Sequence, residues 1–283
     1  MLNRAYENFI GCEAEYDKAH IAIYGAPFDC TTSFRPGTRF AGRAMRGESY
    51  GLETYSPYQD RDLSDSLIFD GGDLELPFGN PEPALEMLQA HAGQIFEDNK
   101  IPIMIGGEHL LTLGPVRAAI AKYPDLHIVH FDAHADLRED YLGQILSHAT
   151  VMRRCWELVG DGRIHQYGIR SGERAEFAFA NEHTDITPFC FEGIDSLVDR
   201  IGGAPVYLSI DLDVMDPSVF PGTGTPEPGG VTFIELIRAL MALRGLHIVG
   251  ADVMELSPPY DPSGISTAAA CKVLRELLLM LQI

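Results

Sequence analysis

A chain of 283 residues with 46% hydrophobic and 22% charged residues can bury a sizeable core, which excludes wholesale disorder. Its 21 Lys and Arg against 41 Asp and Glu give a formal charge of −20, which excludes a sequence-independent grip on DNA or anionic lipid. The same balance permits cationic partners, whether metal ions or amines, although solubility alone also accounts for it.

The N-terminal stretch MLNRAYENFIGCEAEYDK carries Glu7, Glu13 and Glu15 and no apolar core, so it does not read as a signal peptide. Short apolar, β-branched runs then alternate with helical patterns. HIAIYGAP from His20 and SLIFDGGDL from Ser66 predict strands, followed by a helix over Pro81–Asn99. IPIMIGG from Ile101 predicts a strand before a helix over Leu110–Tyr123, and LHIVHFDAH from Leu126 one before Thr150–Val159. RIHQYGIR from Arg163 precedes a helix over Ile194–Ile201, and PVYLSIDLDV from Pro205 precedes Phe233–Leu243. LHIVGADVMEL from Leu246 is the last strand, and Ser266–Leu281 the last helix. This alternation predicts an α/β fold with right-handed crossovers, a mostly parallel sheet and helices on both faces. Without repeats or linkers, residues 1–283 read as one domain. FRPGTRFAGR and VFPGTGTPEPGG are long, irregular Gly/Pro-rich stretches and read as functional loops.

No run approaches the roughly 18 apolar residues of a membrane span. The five cysteines are odd in number and form no CxxC pair, so reduced core thiols are expected. The chain reads as soluble and cytoplasmic.

Chemistry concentrates at three strand ends. FDAHAD places Asp132 and His134 on one strand face, and Asp136 joins them only if the strand stops near His134 and the chain curls back. SIDLDVMDP places Asp211 and Asp213 on one face of another strand end. Such carboxylates repel one another unless a cation lies between them. Carboxylates with some imidazole suit Mn²⁺ or Mg²⁺ better than structural zinc. IGGEH adds His109 behind two glycines. Any one of these motifs alone reads as a turn or cap; the three together predict a metal site beyond the carboxyl ends of the strands. His20, His127, His130, His165 and His247 fall within or at the start of strands, and His91 and His183 on helices; all are read as structural.

IGGEHLLTLGPVRA, IVHFDAHAD and SIDLDVMDPSVFPGTGTPEPGG resemble, in order and spacing, the signature segments of the arginase/agmatinase ureohydrolases. The resemblance runs from Gly25 to the C-terminal helix and implies a three-layer α/β/α fold around a parallel sheet of eight strands. It also implies two Mn²⁺ per chain. His109, Asp132, Asp136 and Asp211 would hold the first, and Asp132, His134, Asp211 and Asp213 the second, with Asp132 and Asp211 bridging. Asp136 would be the first proton carrier, His148 in LSHAT the mobile acid–base histidine, and Glu255 in VMELSPPYD the acceptor of the substrate guanidinium. For His148 the plain alternative is a helix N-terminal residue beside a Ser147 cap; taken alone, Glu255 reads as a solvated strand end.

The continuation LREDYLGQ, with GGEH and SHAT, is most similar to bacterial agmatinases, which implies agmatine as substrate, putrescine and urea as products, and a place in polyamine synthesis. Arginine, guanidinobutyrate and carboxyaminopropyl-agmatine are the alternative substrates, and an inward Arg138 would favour a carboxylate-bearing one. Glu108, where Asp is frequent, is expected to support His109. Family members are commonly homotrimers or homohexamers. A single-zinc deacetylase and a non-catalytic metal-binding protein are the readings from other classes.

Overall fold

Runs that are apolar on both faces can be buried only between two layers, and that is where the chain puts them. The structure, a computed structural model, describes residues 7–282. Its strands are β1 (Ile21–Gly25), β2 (Tyr55–Ser56), β3 (Arg61–Asp62), β4 (Ile68–Asp73) and β5 (Ile101–Ile105). They continue with β6 (His127–Phe131), β7 (Ile164–Ile169), β8 (Asp185–Pro188), β9 (Pro205–Asp211) and β10 (His247–Met254). The helices are α1 (Ala41–Ser49), α2 (Pro81–Glu97), α3 (Leu113–Lys122), α4 (Val151–Val159), α5 (Arg174–His183), α6 (Leu197–Ile201), α7 (Phe233–Ala242) and α8 (Ile265–Met280).

Eight strands form one sheet in the order β4-β1-β5-β10-β9-β6-β7-β8, and every pairing is parallel. β2 and β3 form a separate antiparallel ribbon. Alternating side chains feed the two faces. Ile21, Ile23, Leu208 and Ile210 pack with α1, α6, α7 and α8, whereas Ala22, Tyr24, Ile128 and Tyr207 pack toward α2, α3, α4 and α5. This is the three-layer α/β/α arrangement expected.

The seven apolar runs all became strands. The eighth, β8, was missed because DITP is half exposed and ends in a proline, which only an edge tolerates. Helix α1 begins where FRPGTRFAGR was read as loop, since AGRAMRGES offers two glycines and little apolar signal. Its Arg46 is buried and forks onto Asp70 at 2.9 Å through both Nε and Nη2, and its Nη1 meets Asp73. That pairing clamps α1 onto β4.

Cys12, Cys155 and Cys271 are buried as expected, but Cys30 is exposed and Cys190 half-buried, so the core assignment fails for those two; none of the five is paired. Among the described residues no helix is long and apolar enough to cross a membrane.

Candidate metal centre

The four central strands, β5, β10, β9 and β6, deliver the site from their carboxyl ends. His109 opens the turn after β5, Glu255 follows β10, Asp211 ends β9 and Asp132 follows β6. Gly107 lets the chain pass close to its neighbour: a Cβ there would lie 2.0 Å from the Phe28 carbonyl oxygen. Strand β6 stops at Phe131 and the chain folds back, with Asp136 at φ 53°. Glu255 is likewise left-handed, at φ 64°.

The carboxylates converge on two imidazoles. His109 Nδ1 lies 3.0 Å from Asp132 Oδ2, 3.1 Å from Asp211 Oδ2 and 3.3 Å from Asp136 Oδ2. His134 Nδ1 lies 3.1 Å from Asp213 Oδ2 and 3.4 Å from Asp132 Oδ1. Asp132 thus turns one oxygen to each imidazole. Asp211 turns Oδ2 to His109, and its Oδ1 accepts from the Asp213 backbone N–H at 2.8 Å, as Asp132 Oδ1 accepts from the His134 N–H at 2.6 Å.

Hydrogen bonds beneath the cluster set the tautomer of His109. Ser209 donates to Asp252 Oδ1 at 2.7 Å and so accepts from His109 Nε2 at 2.9 Å. With Nε2 protonated, Nδ1 presents a lone pair; it is buried, without a hydrogen-bond partner, among three carboxylate oxygens. Lone pair against anions is repulsive unless a cation sits among them, and a hard divalent ion matches this donor set. The residues present fit a metal.

The electrostatics agree. With no ion there, burial would lower the His109 pKa, but the carboxylates overrule it and hold it well above the ordinary value, so a proton on Nδ1 stands where a cation would. Burial, then Asp132, lifts Asp136 to about 7, and burial with Asp213 and Asp132 lifts Asp211 well above the carboxylate range. Buried Asp132 moves the other way because His109, His130 and His134 bond it. The cluster is short of positive charge.

His130 was set aside as structural, yet its Nε2 lies 2.8 Å from Asp132 Oδ2. Gln166 Nε2 donates to His130 Nδ1 at 3.0 Å, so Nε2 carries the proton and His130 steadies Asp132 rather than facing an ion. The signal was there, since residues two apart share a strand face. Glu108 does not support His109: its carboxylate accepts from Thr31 N, Thr31 Oγ1 and Thr32 Oγ1 at 2.9, 2.8 and 3.1 Å. Ser209, Asp252 and Gln166 were missed, because their role depends on which strands become neighbours.

A cavity of about 230 Å³ opens above the cluster, reaching Asp136, His148, Asp211 and Glu255. Burial, above all, raises the Glu255 pKa well above the usual range, and its Oε1 accepts from the His109 N–H at 2.8 Å. His148 begins the turn capped reciprocally by Ser147 and Thr150, so the cap reading and the functional one coexist. Its covered position pushes its pKa down to about 4. Arg138 also lines the cavity, with Nη1 2.8 Å from Glu173 and Nε 3.4 Å from Glu176.

The profile of the Arginase family matches residues 19–280. The chain is 45% identical to the agmatinase of Bacillus subtilis (strain 168) over 96% of its length and 95% of the relative's. The chain belongs to the arginase family. As a member it is a hydrolase of amidino C–N bonds. A solved Clostridium difficile structure, provisionally assigned as an agmatinase, superposes with a TM-score of 0.92 at 49% identity, covering 94% of this chain and 98% of that one. The guanidinobutyrase of Pseudomonas aeruginosa is 35% identical over 95% of this chain and 88% of its own.

Proposed function

We propose that this arginase-family hydrolase converts agmatine and water to putrescine and urea, using two Mn²⁺ per chain. The observation that carries this reading is Asp132, with one oxygen turned to the His109 side and one to the His134 side. His109, Asp132, Asp136 and Asp211 would hold one ion, and Asp132, His134, Asp213 and Asp211 the other. Bound there, the ions would supply the field that makes water acidic enough to act as a nucleophile near neutral pH.

The chain's own residues do the rest. Glu255 accepts guanidinium N–H bonds and orients the plane of the group, a geometrically selective pairing. The guanidinium carbon is a poor electrophile until it becomes tetrahedral, and the C–N bond then breaks only if the departing amine is protonated. Asp136, beside the attacking water, takes its proton. His148, kept neutral by its covered position, relays a proton to the amine through its two ring nitrogens.

Tail selectivity is read from the rim. Arg138 faces inward, which taken alone favours a carboxylate tail, as in guanidinobutyrate. Its charge is met by Glu173 and Glu176, so the trio carries a net negative charge and suits an ammonium. On this reading the enzyme serves polyamine synthesis in the cytoplasm, as one domain over residues 1–283 and as a homotrimer or homohexamer. Urea release across agmatine, arginine, guanidinobutyrate and carboxyaminopropyl-agmatine with Mn²⁺ tests it. Agmatine is expected to lead in kcat/KM; a rival about tenfold better, worth about 1.4 kcal/mol, overturns the assignment.

A further inference from the structure

We infer that Ser33 is the positioning residue of His148, set in place by a Thr31–Glu108 anchor. The inference rests on the proposed role of His148 and names what holds that ring. Strand β1 is followed by a loop whose base is tied to the turn before His109: Gly107 N donates to Ala26 O at 3.0 Å and Glu108 N to Phe28 O at 2.9 Å. The Glu108 carboxylate, buried completely, takes both the N–H and the hydroxyl of Thr31. Having donated to Glu108, Thr31 Oγ1 accepts from the His148 N–H at 3.1 Å. Two residues further on, Ser33 Oγ lies 3.3 Å from His148 Nε2. On the opposite side of the ring, Ser147 Oγ lies 3.3 Å from Nδ1, and the Tyr141 ring stands edge-on at 5.6 Å.

An exposed serine on a loop is ordinarily no more than solvated. This one is tethered on both sides. Arg35 stacks over Phe34 and Tyr260, at 4.9 and 5.3 Å, and the Gly37 N–H donates to Asp29 at 2.7 Å. Among the described residues the Ser33 hydroxyl makes no bond except that to His148.

The chemistry of the partners gives the arrangement its purpose. A hydroxyl both donates and accepts, so a ring nitrogen keeps its partner whether or not it carries a proton. A carboxylate at the same place would hold the ring as a cation, and a carbonyl would release it on deprotonation. Two hydroxyls, one at each nitrogen, keep the ring in place through every protonation state of a turnover. A general acid must also be aimed, since small misplacements cost rate steeply.

The test compares wild type, Ser33→Ala and Ser33→Thr on two substrates: agmatine, and a guanidinooxy analogue of it whose alkoxyamine leaving group is far less basic and needs little protonation. Ser33→Ala is expected to lower kcat for agmatine by about tenfold or more, with KM changed by less than about twofold and thermal midpoint and metal content unchanged. Ser33→Thr, which keeps the hydroxyl, restores most of the rate. On the analogue the Ser33→Ala loss shrinks to within about twofold. An equal loss on both substrates, or a loss carried by KM, overturns the inference in favour of a substrate contact. An unchanged kcat in an active enzyme overturns it while leaving the proposed function standing. A wild type inert toward every guanidino compound removes both.

Discussion

Ser209 and Asp252 face one another in register on β9 and β10, and the hydroxyl that donates to Asp252 is the one that accepts from His109. Tyr207 donates to the other oxygen of Asp252 at 2.9 Å, so that carboxylate cannot swing away. Ser209→Ala leaves the His109 Nε2–H without its acceptor and the tautomer unfixed. Metal affinity should fall by roughly 10–100-fold while the fold persists. Titration of the metal-free protein with Mn²⁺ reads this directly, and an unchanged affinity would refute the relay.

Asp132 is shared by both halves of the cluster, whereas Asp136 touches one and Asp213 the other. Asp132→Ala should therefore strip both ions, and Asp213→Ala about one of the two, as counted by elemental analysis. Urea release by Asp132→Ala is expected to drop by roughly a thousandfold, about 4 kcal/mol of transition-state stabilisation. Full metal content in that variant sinks the two-ion reading.

Arg138 is poised between two uses. Glu173→Gln removes the more exposed of its counter-charges and frees the guanidinium for a substrate carboxylate. The agmatine-to-guanidinobutyrate ratio of kcat/KM should fall by about tenfold. A ratio that holds steady or rises would show that the Arg138–Glu173 pair does not set the tail preference.

Far from the cluster, at the amino ends of β6 and β7, the His127 and His165 rings stack at 5.4 Å with a shared hydrogen bond of 3.1 Å. Burial first, and then their mutual repulsion or nearby Arg200, holds both below the ordinary 6.5, with Asp185 opposing this at His165. A group depressed in the folded state contributes its stability above 6.5 and loses it as pH falls toward the folded value. Between about pH 7.5 and 5.5, wild type should lose stability in urea unfolding faster than a His127→Gln/His165→Gln double variant. Parallel slopes would show the pair titrating normally.

The Arg46 clamp is an ion group whose Arg46 and Asp70 are buried, while Asp73 is partly exposed. Arg46→Met leaves Asp70 buried and unpaired and should cost about 3–5 kcal/mol, seen as a lower urea midpoint. A cost within about 0.5 kcal/mol would mean that Asp70 is satisfied by the Phe9 and Gly72 N–H groups alone.

Most of the fold was legible because burial on two faces leaves an unmistakable mark: IPIMI and PVYLSID have nowhere else to go. Edge elements carry no such mark, which is why DITP escaped and why α1, with its glycines and arginines, read as loop. Within the site, His109, Asp132, His134, Asp136, Asp211 and Asp213 stood out because each lies at or just beyond a strand end. Their supports did not. Ser209 and Asp252 are ordinary residues of apolar strands until β9 and β10 become neighbours, and Glu108, beside a candidate ligand in sequence, spends its carboxylate on a loop 77 residues earlier.

The left-handed backbone at Asp136 and Glu255 puts thermal endurance and turnover in opposition. Each residue carries roughly 1 kcal/mol of conformational strain that glycine would not, and each adds a buried carboxylate. Asp136→Gly and Glu255→Gly should accordingly raise the melting temperature of the metal-free protein while abolishing urea release. Selection for heat resistance alone would strip two carboxylates from the cavity.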